Sequence, residues 1–198
     1  AILPSGTTNI LYDERRILNR GAKVAIARAC AEQVPEGSSV FLNIGTTPEA
    51  VAHELLRHRG LMIVTNNMNV ANILAANRDC EIIVTGGTLR RLDGGLVGAL
   101  TAATIRQFKF DIAVIGCSAM DEDGDMLDFD IQEVGVSQAI IGQARRTFLV
   151  ADNSKFRRSA PARIASLSAI DTIFTDMALP DRLTGLCRDW GTGIDIAG

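Results

Sequence analysis

The stretch SVFLNIGTTPEAVAHELLRHRG, residues 39–60, holds the fold in miniature. Its first six residues, 39–44, are nearly all apolar and lack polar alternation, so they read as a strand buried on both faces. From residue 48 to 59 the period changes. Val51 with Leu55, and Ala52 with Leu56, recur at i, i+4, which is the pattern of a helix with one apolar face. Thr47 stands where an N-cap is expected, Pro48 at the first helical position, and Gly60 where the helix should close. Strand, polar turn and helix make half of a βαβ unit.

The same unit recurs on both sides. Further strand-like runs lie at 61–65 (LMIVT), 81–85 (EIIVT), 111–116 (DIAVIG), 147–151 (TFLVA) and 172–175 (TIFT). Helical patterns separate them: the stripe Val70, Ile73, Leu74, then 99–108, 132–146 and the region around 181–188. An amphipathic segment, 21–34, leads into the first strand, and the tail after Trp190 has room for one more short strand. The expected product is an α/β domain: a doubly wound, mostly parallel sheet with flanking helices and right-handed connections. Residues 1–20 contain Pro4, Gly6 and the charged run 13–16, with no strand or helix pattern. They read as a connector to something upstream, which leaves 21–198 as one domain.

Composition narrows the function. Hydrophobic residues make up 47% of the 198 and charged ones 22%, which excludes intrinsic disorder. Twenty Lys and Arg against 23 Asp and Glu give a net charge of −3, unlike the basic footprint of a nucleic-acid or anionic-membrane binder. No apolar run approaches the ~18–20 residues of a bilayer span, and the chain does not open on a signal-peptide pattern. Cys30, Cys80, Cys117 and Cys187 are scattered, with no CxxC pair and no grouping with His53 or His58. They read as reduced cytoplasmic thiols, mostly in the core, and not as a metal site.

Polar residues gather after the strands. The first is followed by Asn43-Ile44-Gly45-Thr46-Thr47, the second by Thr65-Asn66-Asn67, and the third by Thr85-Gly86-Gly87. The fourth ends in Gly116-Cys117-Ser118 and the fifth in Asp152-Asn153-Ser154-Lys155. In a parallel sheet these carboxyl ends share one edge, where ligands bind. Any one cluster is a good turn or helix cap; five together favour a ligand site. Gly45-Thr46-Thr47 has the most specific chemistry. A strand enters a helix there, and glycine, free N–H groups and two hydroxyls make an anion cradle fit for a phosphate. GxxxxGK[ST] and GxGxxG are both absent, so nucleoside triphosphates and dinucleotides are disfavoured.

Lys155 and Arg90 are the cations expected beside that phosphate. Glu133, at a helix start, is placed to accept a polyol's hydroxyls, and the helix dipole should lower its pKa. The acidic run 121–125 misses the glycine and glutamate positions of a calcium loop and reads as a solvated turn. His53 and His58 have no nucleophile pattern to serve.

IGTTPEAVAHELL (44–56), IVTNNMNVAN (63–72), GGTLRRLDGGLVG (86–98), LDFDIQEV (127–134) and DNSKF (152–156) together resemble the sensor domain of DeoR-family transcriptional repressors. The resemblance covers most of the chain. It implies a fold similar to ribose-5-phosphate isomerase and glucosamine-6-phosphate deaminase, retaining sugar-phosphate binding without catalysis. It also implies a cytoplasmic homo-oligomer, with operator DNA read by an N-terminal winged helix-turn-helix outside this sequence. The implied effector is glycerol 3-phosphate or a similar small phosphorylated polyol. Carried over residue by residue, the effector-binding set is Gly45, Thr46, Thr47, Thr65, Asn66, Asn67, Gly86, Gly87, Arg90, Glu133 and Lys155, with no cofactor. Where the family often has basic residues after the glutamate, this chain has Gly135, Ser137 and Gln138. The competing expectation is a sugar-phosphate isomerase or deaminase using Glu133 as base and Lys155 as its electrostatic partner.

Overall fold

The computed structural model describes residues 11–198. Seven helices are α1 (Tyr12–Ile17), α2 (Arg20–Glu32), α3 (Thr46–Glu54), α4 (Met68–Leu74), α5 (Ala99–Ile105), α6 (Ile131–Gln143) and α7 (Asp181–Trp190). The strands begin with β1 (Ser39–Leu42), β2 (Met62–Thr65), β3 (Glu81–Val84), β4 (Thr88–Arg90), β5 (Gly95–Val97) and β6 (Phe110–Ile115). They continue with β7 (Ala119–Met120), β8 (Asp125–Asp128), β9 (Ala144–Val150), β10 (Ala162–Ser166), β11 (Thr172–Thr175) and β12 (Gly193–Ile196).

Seven strands form one sheet in the order β12-β11-β9-β6-β1-β2-β3, every neighbouring pair parallel. This is the doubly wound α/β sheet the apolar runs predict. Strand alternation divides the core in two. Val40 and Leu42 of β1 pack with Ile63 and Phe148 under Ile26 of α2, Val51 of α3 and Val70 of α4. Phe41, Val64 and Leu149 face the other way, toward Ile105 of α5, Ile140 of α6 and Leu183 of α7. Both faces are covered, so these strands carry no polar side. No helix among the described residues is long and apolar enough to cross a membrane.

The structure corrects three local readings. The connector expected over 1–20 is partly helical: α1 and the first residue of α2 fall inside it, while residues 1–10 lie outside the described part. The helix expected over 132–146 stops at Gln143, because Ala144–Arg146 pairs with Phe110–Ile112 as the start of β9. Finally, the α3 cap is Gly45 and not Thr47, which puts Pro48 third in the helix, where its missing N–H also costs nothing.

Sequence reading also passed over two small antiparallel sheets, β4-β5 and β10-β8-β7. The acidic run is the β7–β8 turn, where the Asp121 carboxylate accepts the amides of Asp123 and Asp125 at 3.0 and 2.9 Å. Gly124 sits there at φ +81°, and a Cβ on it would lie 2.9 Å from Cζ3 of Trp190. Gly124→Ala should therefore destabilise the protein by about 1–3 kcal/mol. Urea unfolding is expected to show a lower midpoint at unchanged slope.

Candidate functional site

β1 is the strand at which the chain reverses its direction of travel across the sheet. β2 and β3 add on one side of it, β6, β9, β11 and β12 on the other. The loops leaving β1 and β6 therefore part to opposite faces and open a crevice at their carboxyl ends, the usual ligand position in such sheets. Gly45, Thr46 and Thr47 enter it from β1, and Gly116, Cys117 and Ser118 from β6. Lys155 reaches it from the short helical turn Asn153–Arg157 after β9, Glu133 from the first turn of α6, and Asp128 from the end of β8. Arg15 of α1 closes the rim. The space between these residues is about 30 Å³, on the scale of a water molecule, and opens to solvent.

The cradle follows from helix termination. Gly45 takes φ +141°, ψ +151° and caps α3 without a side-chain hydrogen bond, so the first amides of the helix, at Thr46 and Thr47, have no intrahelical acceptor. Their donors and the positive end of α3 favour an anion. A Cβ at Gly45 would lie 3.1 Å from Cδ of Pro48, in a backbone conformation that side chains rarely adopt.

Cations surround this end. The Lys155 ammonium makes no hydrogen bond or ion pair among the described residues, and burial holds its pKa below the ordinary lysine value. Asp152 is the acid near it, but its Oδ1 already accepts from Asn19 at 2.8 Å and from the Ser154 amide and hydroxyl at 3.0 and 2.5 Å. Lys23, buried under α1, donates to the Arg15 carbonyl, and burial pushes its pKa down to about 8. Arg158 lies 5.9 Å above the Phe129 ring. Lys155 and Arg15 make it costlier for Lys23 to carry its charge, and Arg158 and Arg15 do the same to Lys155, which an incoming dianion would relieve.

The acidic end is organised by Arg90. Its guanidinium donates to Glu133 at 2.7 Å, to Asp130 at 2.8 Å and to Asp93 at 2.6 and 2.9 Å. It is committed to three carboxylates and so is not the free phosphate cation the sequence suggests. Burial, and then the neighbouring Asp128, raise the pKa of Glu133 above the usual carboxylate range, with Arg90 opposing. The dipole argument expects the opposite direction. It fails because one shared guanidinium does not offset the burial of so many acids.

Of the eleven expected residues, Gly45, Thr46, Thr47, Glu133 and Lys155 line the cavity. Thr65, Asn66 and Asn67 are fully buried beside it and serve the fold. The Thr65 hydroxyl donates to the Leu42 carbonyl at 2.7 Å, and the Asn66 amide donates to that of Leu96 at 3.1 Å. Asn67 caps α4 through the Asn69 amide and donates to Glu49 at 3.1 Å. Gly86 and Gly87 are exposed and lie away from the cavity. At Gly87 a Cβ would sit 2.9 Å from the Val97 carbonyl, which explains the glycine by packing. Gln138, one of the residues standing where the family often has bases, instead holds the Ile164 carbonyl at 3.1 Å. Arg15 and Asp128 were not anticipated. Each stands among ordinary surface-like charges in the sequence, and only the folding of α1 and the β7–β8 hairpin over the crevice marks them.

A larger groove of about 900 Å³ lies between α1, α2, α3 and α4. Its best-placed polar groups are spent on each other: the Tyr12 hydroxyl donates to Glu49 at 2.8 Å, and Asn69 donates to both at 2.9 and 3.1 Å. It shares only Thr46 with the expected set.

Residues 18–177 match the family described as the DeoR C-terminal sensor domain. The chain is 47% identical over 180 residues to the glycerol-3-phosphate regulon repressor of Escherichia coli (strain K12), covering 91% of this chain and 71% of that protein. Among solved structures it resembles eIF2B beta from Chaetomium thermophilum, with a TM-score of 0.59 at 16% identity, over 86% of this chain and 53% of that one. It also resembles ribose 5-phosphate isomerase A from Methanocaldococcus jannaschii, with a TM-score of 0.51 at 13% identity, over 70% and 55%. The chain thus spans about half the length of those structures, and at such identities the likeness concerns the fold alone. With the sheet, the crevice and the cradle in the positions that the family motifs occupy, the chain belongs to the DeoR family of transcriptional repressors, whose C-terminal sensor domain it carries.

Proposed function

We propose that this domain is the effector switch of a cytoplasmic repressor of glycerol 3-phosphate catabolism, relieved when glycerol 3-phosphate occupies the crevice between β1 and β6. The observation that carries this reading is the pairing of an uncommitted helix N-terminus at Gly45–Thr47 with an unpaired, half-buried lysine, Lys155. A phosphate monoester carries nearly two charges near neutral pH and offers three acceptor oxygens, which matches that end. Glu133 and Asp128 then face the polyol hydroxyls. Thr65, Asn66, Asn67 and Arg90 support the site from behind or from its rim and touch no ligand, and Gly86 and Gly87 lie apart from it.

Operator DNA would be read by a separate domain, since this one is acidic overall. Effector and operator then compete through linkage: whatever factor the effector removes from operator affinity, the operator removes from effector affinity. The enzyme reading uses the same crevice but asks Glu133 to abstract a proton from carbon. Its raised pKa suits a base, but its carboxylate is held by Arg90 at 2.7 Å, which engages the electrons a base needs. We therefore read the site as binding without turnover. Assembly of like subunits is supported by Leu89, Leu92, Leu100 and Ile131, all exposed around the β3 edge and the Arg90–Asp130 pair.

Replacing Lys155 by Ala should weaken glycerol 3-phosphate binding about 10–100-fold while leaving the unfolding midpoint nearly unchanged. Calorimetry beside urea unfolding checks this, and an unaltered dissociation constant removes Lys155 from the site. Solvent deuterium should not enter glycerol 3-phosphate or ribose 5-phosphate above background, as followed by NMR; Glu133-dependent exchange would revive the enzyme. Light scattering should give a multiple of the 21.2 kDa chain mass at micromolar concentration, and a monomer there counts against assembly through this domain.

A further inference from the structure

Arg15 is the cation of the crevice that no motif marks. It comes from α1, a six-residue helix with no buried residue, which lies across the carboxyl edge of the sheet. The guanidinium is held loosely. Its only ion pair among the described residues is with Asp93 at 3.7 Å, at the outer limit of such contacts. Asp93 is already served by Arg90 at 2.6 and 2.9 Å, so Arg15 is its second and weaker partner. The Arg15 Nε is buried and has no acceptor among the described residues. An unmade hydrogen bond from a charged, buried donor is costly, and an acceptor arriving in the crevice would supply it.

The lining points the same way. Gly45–Thr47 is fixed backbone, and Glu133 is held by Arg90. Arg15 and Lys155 are the lining cations without a close ion pair among the described residues.

We propose that Arg15 is itself a ligand of the effector phosphate, exchanging its long contact with Asp93 for charge-assisted hydrogen bonds to phosphate oxygens and thereby tying α1 to the occupied site. This deepens the effector reading above and rests on it. The guanidinium fork suits two phosphate oxygens at once, which Lys155, a point charge, does not. α1 thus reports the occupancy of the crevice to whatever precedes it along the chain.

The test compares the parent protein with Arg15→Gln, Arg15→Lys and Lys155→Ala. Affinities for glycerol 3-phosphate and inorganic phosphate are measured by calorimetry, and tryptic cleavage after Arg16 is timed with and without each. We expect Arg15→Gln to bind about tenfold or more weakly, Arg15→Lys to fall between it and the parent, and phosphate to slow cleavage after Arg16 in the parent only. α1 buries nothing, so these variants should fold, and equal urea midpoints will verify it. If Lys155→Ala weakens binding while Arg15→Gln matches the parent, the inference falls and the effector site stands. Equal slowing of cleavage in Arg15→Gln and the parent overturns it as well. If the parent binds neither probe, the effector reading falls and takes this inference with it.

Discussion

Seven parallel strands with both faces covered leave a chain almost no freedom in where to put chemistry. Val40, Leu42 and Ile63 seal one face and Phe41, Val64 and Leu149 the other, so side chains on the strands themselves are committed to packing. Backbone polar groups within the sheet pair with one another. What remains uncommitted is the carboxyl edge, where strands stop, helices start with unpaired amides, and loops from neighbouring strands diverge. The crevice between β1 and β6 lies where the chain changes the side on which it adds strands. Every polar feature of the site derives its place from that reversal.

The same constraint decides what sequence alone can reveal. Runs such as LMIVT and TFLVA are unambiguous because a strand buried on both faces tolerates little else, and six of the seven strands of the main sheet fall within or beside runs read that way; β12 is expected only as a short strand in the tail after Trp190. The hairpins β4–β5 and β7–β8 are different. Their strands are two to four residues long and half solvated, so Thr88–Arg90 or Asp125–Asp128 is too short to show a period. The end of α6 was misplaced for a related reason. Ala144, Arg145 and Arg146 suit a helix, but the edge of β6 offers them ladder hydrogen bonds, and tertiary pairing overrides propensity.

Residues that line the crevice were legible where a residue type has one use and obscure where it has two. Gly45 before two threonines at a strand–helix junction has a narrow set of purposes, and Lys155 just past a strand end is similarly placed. Asparagine caps helices as readily as it holds ligands, and at Asn66 and Asn67 the structural use prevailed. Arg90 shows the limit most clearly. Its sequence neighbours include only Asp93, whereas Asp130 and Glu133 arrive from about forty residues away to complete the cluster. Glu133 inherits its electrostatics from that cluster and not from its own helix. A dipole worth a fraction of a kcal/mol at a solvated position is outweighed by the burial of several carboxylates around one guanidinium.

That cluster also bears on how occupancy is communicated. A ligand shifts a conformational equilibrium only through its differential affinity for two arrangements. A crevice large enough to admit its ligand without rearrangement would give it no such preference. In the proposed reading that preference comes from Arg15, whose long pair with Asp93 a phosphate would replace. The chain of contacts around the crevice is uneven: Gly45 is fixed by helix geometry and Glu133 by a buried guanidinium, while α1 is held by Tyr12 with Glu49 and Asn69, by Lys23 on the Arg15 carbonyl and by the long Arg15–Asp93 pair. In the proposed reading the exchange of partners on binding falls on the Arg15 side chain, and so on α1. A sensor of this design needs no large domain motion within the sheet. It needs an anion cradle at a helix start and a neighbouring helix carrying a charge that the ligand can take.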